Sequence, residues 1–415
     1  MITWKGTIGR REFLKRFAAG AAVALPLSSG NPPEAGAAIV NPIFWVTEIP
    51  DQPFGTGALD NNHAGLETLL RLLGDKGLKF YRSALETRLS GPTGLIAKRD
   101  VVLIKVNGQW KYRGCTNSDL VRGLIQRVIT HPDGFEGEVV IVENGQGRGS
   151  LNCNTSSSYD GDTSVQANAN DRDHSFVHLV DNIFQDPRVS YYLLDPIRGS
   201  FIAGDEHVAD GYRKYENVSY PCFTTKGGRR VELAKGIWDG DRFRQRLKLI
   251  NVPVLKHHDQ GGSEITASLK HFYGLVSMSD GQSTFRHYGG LGTTCGKMIV
   301  SVRTPVLNIV DGIWVSHLSI KGYPENTTFR ANQIMASQDP VALDYCAAKR
   351  ILYPIDHNWR HHPNFAGIAK WLRNARLVIN ERGGIYSARD GIQVGKVTQD
   401  ENQMAIFKRK CAPLG

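Results

Sequence analysis

The densest meeting of acid–base side chains with structural signals is NVPVLKHHDQGGSEITASLKHFYGLV, Asn251–Val276. Val252–Leu255 reads as a buried strand that delivers Lys256, His257, His258 and Asp259 to its end. Gly261 and Gly262 then turn the chain into a predicted helix. On a wheel of about 100° per residue, Ile265, Leu269, Phe272, Tyr273 and Val276 form one apolar stripe, with Thr266 and Lys270 at its edge. Two chemistries suit these groups. Imidazole and carboxylate oxygen bind first-row metal ions. Alternatively, lysines and a helix N-terminus expected at Ser263 hold an anion while a histidine moves a proton. Successive strand residues face opposite ways, so His257 and His258 do not readily serve one metal ion together.

Four further apolar runs also end in polar groups. Val101–Ile104 leads to Lys105 and Asn107, Val139–Val142 to Glu143 and Asn144, Tyr191–Leu194 to Asp195, and Val306–Val310 to Asp311. Between the first two, Ser118–Ile129 places Leu120, Val121, Leu124, Ile125 and Val128 on one helical face. Strands apolar on both faces and joined through helices predict an α/β fold, a mostly parallel sheet with helices on both faces and with polar loop and hairpin insertions. Ligands of such sheets bind outside the carboxyl ends of the strands, where these polar groups converge.

The intervening segments say less about chemistry. Pro42–Phe54 reads as a Pro-rich lead-in, His63–Leu73 as a helix stopped by Gly74, and Asn332–Ala336 as a short strand. Gly145–Asp173 is a long polar insertion. Its GxGxG lacks the dinucleotide spacing, and Asp160, Asp162, Asp171 and Asp173 lack that of a calcium loop. Tyr212–Leu233 predicts a hairpin turning at Lys226–Arg229. Asp339 is placed to cap a helix with Pro340 in its first position. His357, His361 and His362 read as a surface cluster with no carboxylate partner nearby.

The chain has 415 residues, 41% hydrophobic, and a formal charge of +10. Residues 1–37 carry five basic and two acidic residues, and the remaining basic residues are scattered, so no nucleic-acid partner is expected. Thr7–Lys15, with Arg10 and Arg11, resembles a twin-arginine export motif, followed by the apolar run Phe17–Leu27 and small residues at Ala35–Ala37. The expectation is a periplasmic or otherwise exported protein, delivered by the twin-arginine machinery and not membrane-spanning when mature. The six cysteines form no CxxC pair, which leaves a clustered-cysteine iron–sulfur site without support, and disulfide pairing stays open. No GxSxG nucleophile elbow is present.

Several pieces together resemble the DUF362 family, a domain of unknown function. They are VLIKVN (Val102–Asn107), TNSDLVRGLI (Thr116–Ile125), VPVLKHH with ITASLKHFYGLV, LNIVDGI (Leu307–Ile313) and ASQDPVALD (Ala336–Asp344). The chain departs from the family pattern at Val106, commonly proline, and at His271, commonly asparagine, and no appended ferredoxin-like module with clustered cysteines is expected. The resemblance retains the Lys256-x-His258 spacing and Lys270, and so favours His258 over His257 as a ligand. The expected layout is an export signal at 1–37, a lead-in at 38–95, a DUF362-like domain at 96–350 with an insertion at 145–240, and a C-terminal extension at 351–415. Catalytic roles are expected for Lys105, Lys256 and Lys270, cofactor contacts for Asn107, Asn117, Glu143 and Thr266, and divalent metal or metallocofactor ligation for His258, His271 and Asp311. The expected function is a metal- or cofactor-assisted, redox-type enzyme. The alternative is a non-catalytic periplasmic binding protein for a metal ion or small anion.

Overall fold

β-branched, doubly buried runs build the centre of the molecule. The computed structural model describes residues 41–55, 61–145, 149–155, 163–194, 211–258, 263–277, 289–386, 395–412 and 414. Its main sheet contains β1 (Asn41–Thr47), β2 (Val101–Val106), β3 (Glu138–Asn144), β4 (Val189–Leu194), β5 (Leu247–Val252), β6 (Val254–His257), β7 (Ile265–Thr266), β8 (Leu307–Ser316), β9 (Thr328–Ser337) and β10 (Met404–Lys410). The order is β10-β1-β9-β8-β5-β2-β3-β4, with β6 beside β8 and β7 beside β6. From β8 through β4 every neighbouring pair is parallel, and β9 runs antiparallel to both β8 and β1. The expected mostly parallel α/β sheet is therefore present. Ile39–Gly415 forms one compact unit. The expected export signal at 1–37 and Asp160, Asp162, Asp195 and Asp259 lie outside the described residues.

Side-chain alternation divides the core in two. Val102, Ile104, Ile141 and Ile250 point to the face covered by α1 (Ala64–Asp75) and α2 (Ser118–Ile129). Val101, Leu103, Val140 and Leu249 point to the other face. That face is covered by α3 (Ser268–Phe272), α4 (Leu291–Lys297), α5 (Pro340–Ala347) and α6 (Ala366–Tyr386). Among the described residues no helix is long and apolar enough to cross a membrane. The sequence-legible caps are in place. Asn117 accepts from Leu120 N at the start of α2, and Asp339 from Val341 N and Ala342 N at the start of α5.

Four segments differ from the sequence expectation, the first two because of distant partners. The lead-in holds β1, whose Pro42 sits near the strand start where proline is tolerated and whose partners lie near the C-terminus. The C-terminal extension supplies β10, an edge strand ending Lys408-Arg409-Lys410, charges that discourage further pairing. The predicted hairpin is part of a five-stranded antiparallel sheet spanning Tyr212–Arg244, with an additional turn where Glu216 and Asn217 both adopt positive φ, 48° and 65°. Helix α3 begins at Ser268, because Ile265 and Thr266 pair with β6 as β7. Its first N–H groups, on Ser268 and Leu269, donate to Asp344 of α5 at 2.7 and 2.9 Å. The helix end expected to hold an anion thus already holds a carboxylate.

Asp344, Asp339 and Asp311 are buried carboxyls stabilised by N–H donors. Asp339 accepts from Val341, Ala342 and Thr398. Asp311 accepts from Asn117 N at 2.7 Å and Ile313 N at 3.0 Å. Burial outweighs these hydrogen bonds and pushes each pKa up from 3.8 to about 7. With the folded value above the unfolded one, the stability each contributes is present below pH 3.8 and is lost as pH rises towards 7. Asp311→Asn removes one such dependence. The stability difference between wild type and this variant is predicted to fall by up to about 1.4 kcal/mol per pH unit between about pH 4 and 7. Urea unfolding at several pH values measures it, and a difference that grew with pH would contradict the assignment.

Candidate functional site

Two polar chains occupy the carboxyl side of the sheet. The inner one starts from the transverse row Lys105–Asn251–Asn308–Ser337, one residue from each of β2, β5, β8 and β9 in register. Lys105, 1% exposed, donates to Glu143 Oε1 at 3.0 Å and to Val106 O at 2.8 Å, and lies 3.0 Å from His271 Nε2. An ammonium can only donate, so His271 Nε2 accepts and its proton sits on Nδ1, 2.7 Å from Asn251 Oδ1. Asn251 Nδ2 donates to Ser268 O and to Asn308 Oδ1, and Asn308 Nδ2 donates to Ser337 O. Glu143 also accepts from Gly108 N and Asn144 N at 2.7 and 2.6 Å. Continuous hydrogen bonding therefore runs from β3 to β9 through α3.

Burial acts on every charge in this chain. It holds the Lys105 ammonium below its ordinary pKa, against the pull of Glu143, and pushes the Glu143 carboxyl up against the pull of Lys105. It also takes His271 well below the usual imidazole range, with the Lys105 charge adding to the effect. All three Lys105 protons have acceptors, so the chain works as a rigid support for the ends of β2, β3 and β5.

The outer chain lies where β6 and β8 end. His257 Nδ1 is 2.9 Å from His361 Nε2, and His361 Nδ1 is 3.2 Å from Asp356 Oδ1. His317, just beyond β8, reaches the same carboxylate at 3.4 Å. His361 is fully buried, and burial holds its pKa down although Asp356 raises it. His257 is half-buried. The helix Tyr353–Asp356 ends at His357 in a left-handed conformation, φ 52°, which brings the following short turn, Trp359–His361, against β6. Arg360 from that turn pairs with Glu264 through Nε at 3.0 Å and Nη2 at 2.5 Å. Glu264 O accepts from His258 N at 2.8 Å, and Ser263 Oγ lies 3.2 Å from His258 Nδ1.

The expected site residues are thereby distributed. Lys105, Glu143 and His271 meet in the inner chain. Asn107 Oδ1 accepts from Val254 N, Asn117 caps α2, and Thr266 pairs with Lys256 across β7 and β6. Lys256 is buried and donates to Gly114 O at 2.7 Å. Lys270 is buried on α3, and its charge lowers the pKa of the nearby Cys295 thiol against the larger effect of burial. His258, His271 and Asp311 occupy three separate environments, and among the described residues no three His, Cys, Asp or Glu side chains are arranged to hold a metal ion. All six cysteines are free. Sequence reasoning missed His361, Asp356 and His317. His361 is buried with Asp356 as its carboxylate partner, which corrects the surface-cluster expectation for that residue, whereas His357 is exposed. Asp356 five residues before His361 was the available local signal, while the 104-residue separation from His257 carried none.

Lys105→Met leaves Glu143 ionisable, buried and without its cation. It is predicted to destabilise the fold by about 3–5 kcal/mol, and the double variant Lys105→Met/Glu143→Gln to recover more than half of that loss. Urea unfolding tests both, and a single-variant cost below about 1 kcal/mol would contradict the role given to the pair.

In comparisons with known proteins, a family model described as a domain of unknown function (DUF362) matches residues 208–349. The match runs from the antiparallel insertion through β5, β6, α3, β8 and β9 into the end of α5. The VLIKVN and TNSDLVRGLI pieces lie outside it. Comparisons with curated proteins and with solved structures give no match. Over residues 208–349 the chain is therefore similar to the DUF362 family.

Proposed function

We propose that this is an exported enzyme that carries out general acid–base chemistry on a small anionic substrate, with His257 as the proton-transferring group. The observation that carries the reading is the Asp356–His361–His257 chain at 3.2 and 2.9 Å, ending on a half-buried imidazole beside the carboxyl ends of the parallel strands. With the His361 proton on Nδ1 towards Asp356, His361 Nε2 accepts the His257 Nδ1 proton and leaves basicity at His257 Nε2. A carboxylate at the far end orients both rings and stabilises the imidazolium formed when His257 takes a proton. Lys256 supplies positive charge on the adjoining residue. The twin-arginine-like N-terminus supports export. A metal-assisted reaction would draw on His258, His271 and Asp311, which sit apart, so the histidine chain is preferred.

Purified full-length protein assayed on a panel of small carboxylate and phosphate esters is expected to turn over at least one. His257→Asn is predicted to lower kcat about 10²–10⁴-fold. Asp356→Asn is predicted to lower it less and to shift the rising limb of the pH–rate profile to lower pH, because the imidazolium loses its stabilising carboxylate. Turnover unchanged in His257→Asn would contradict the assignment. Ligand binding without turnover on any member of the panel would favour a binding protein.

A further inference from the structure

The loops that follow β2 and β8 meet along a cleft of about 300 Å³ lined by Tyr112, Arg113, Arg172, Tyr323 and Glu325. The loops touch backbone to backbone. Gly322 has φ +77°, and a side chain there would begin 1.9 Å from Gly114 N, so only glycine permits this approach. Arg113 is 7% exposed. Its Nη1 donates to Asn168 Oδ1 at 2.8 Å and Ala169 O at 3.4 Å, and its guanidinium stacks 4.0 Å from the Trp314 ring centre. Among the described residues no carboxylate pairs with it, and its Nε is buried without a hydrogen-bond partner. Glu325 attracts it through space without a hydrogen bond, so a buried cation with an unsatisfied donor is incompletely compensated.

The walls add a second specification. The Tyr112 and Tyr323 rings stand 5.0 Å apart, tilted by 49°. Lys111 Nζ lies 5.5 and 5.9 Å from their centres, and Lys321 Nζ lies 5.7 Å from that of Tyr323. Arg172 lies 5.4 Å from the Tyr112 ring and pairs with the exposed Glu325 at 3.4 Å. The one acid in the wall opposes a dianion more than a monoanion.

We propose that this cleft binds a small aromatic monocarboxylate. Its carboxylate meets the Arg113 guanidinium, which lines the cleft, and its ring packs against Tyr112 and Tyr323. Binding there is read directly and needs no turnover.

Titration of the full-length protein, followed by tryptophan fluorescence because Trp314 contacts Arg113, compares benzoate with benzamide, acetate and inorganic phosphate. Benzoate is expected to bind at least about 10-fold more tightly than each of the others, and Arg113→Gln to weaken it by roughly 10- to 100-fold. Should Arg113→Gln fail to fold, Glu325→Gln, a change at an exposed residue, is expected to tighten benzoate binding several-fold by removing a like charge. No benzoate binding, equal binding of benzamide or phosphate, or unchanged affinity in both variants would each overturn the proposal.

Discussion

Lys105 and Glu143 form an ion pair 3.0 Å long with essentially no access to water, and the rest of the site is arranged around that constraint. Neither charge is tolerable there alone, since the cost of desolvating an ion exceeds what one neutral hydrogen bond returns. Every additional lone pair and proton must therefore be matched. Gly108 N, Asn144 N, Val106 O and His271 supply those matches. Through His271 the requirement passes to Asn251 and Asn308, so that α3, β5 and β8 hold one relative position. Glu143 and Lys105 tie β3 and β2 to the same frame, and β6 continues from β5 towards the outer chain.

This rigidity has a functional counterpart at the outer chain. His257 sits one residue past Lys256, and β6 pairs with β8 and β7, so its imidazole is carried on sheet rather than on a free loop. The C-terminal segment then brings His361 and Arg360 onto the same strand end. Residues far apart in the chain thus meet at the edge where open α/β sheets bind their ligands. Positive-φ, non-glycine backbone at Tyr112, Glu264 and His357 is found in the segments that shape this edge. Such conformations persist where surrounding contacts hold them in place.

How much of this was legible depended on the range of the interaction concerned. The five parallel strands and α2 follow from local periodicity, and Asn117 and Asp339 announce helix starts because capping needs only the next three residues. Lys105, Glu143 and His271 were legible as chemically unusual residues. That they satisfy one another was not, because the Lys105–His271 contact spans 166 positions. β1 and β10 escaped notice because they pair with each other and β1 also with β9, far along the chain. Thr266 and Ile265 carry helical spacing yet form a strand, since pairing with β6 outweighs propensity over so short a segment. His361 looked exposed because its neighbours Trp359 and Arg360 are, whereas the turn inserts the one imidazole into the fold.

The central claim is a division of labour, with a proton-tight inner chain supporting an outer chain that exchanges protons. Nitrogen-15 NMR of the histidine rings, recorded from about pH 5 to 9, addresses it directly. His271 is predicted to remain neutral, with its proton on Nδ1, throughout that range. A His271 ring that titrates near the ordinary imidazole value of about 6.5, or that carries its proton on Nε2, would contradict the account.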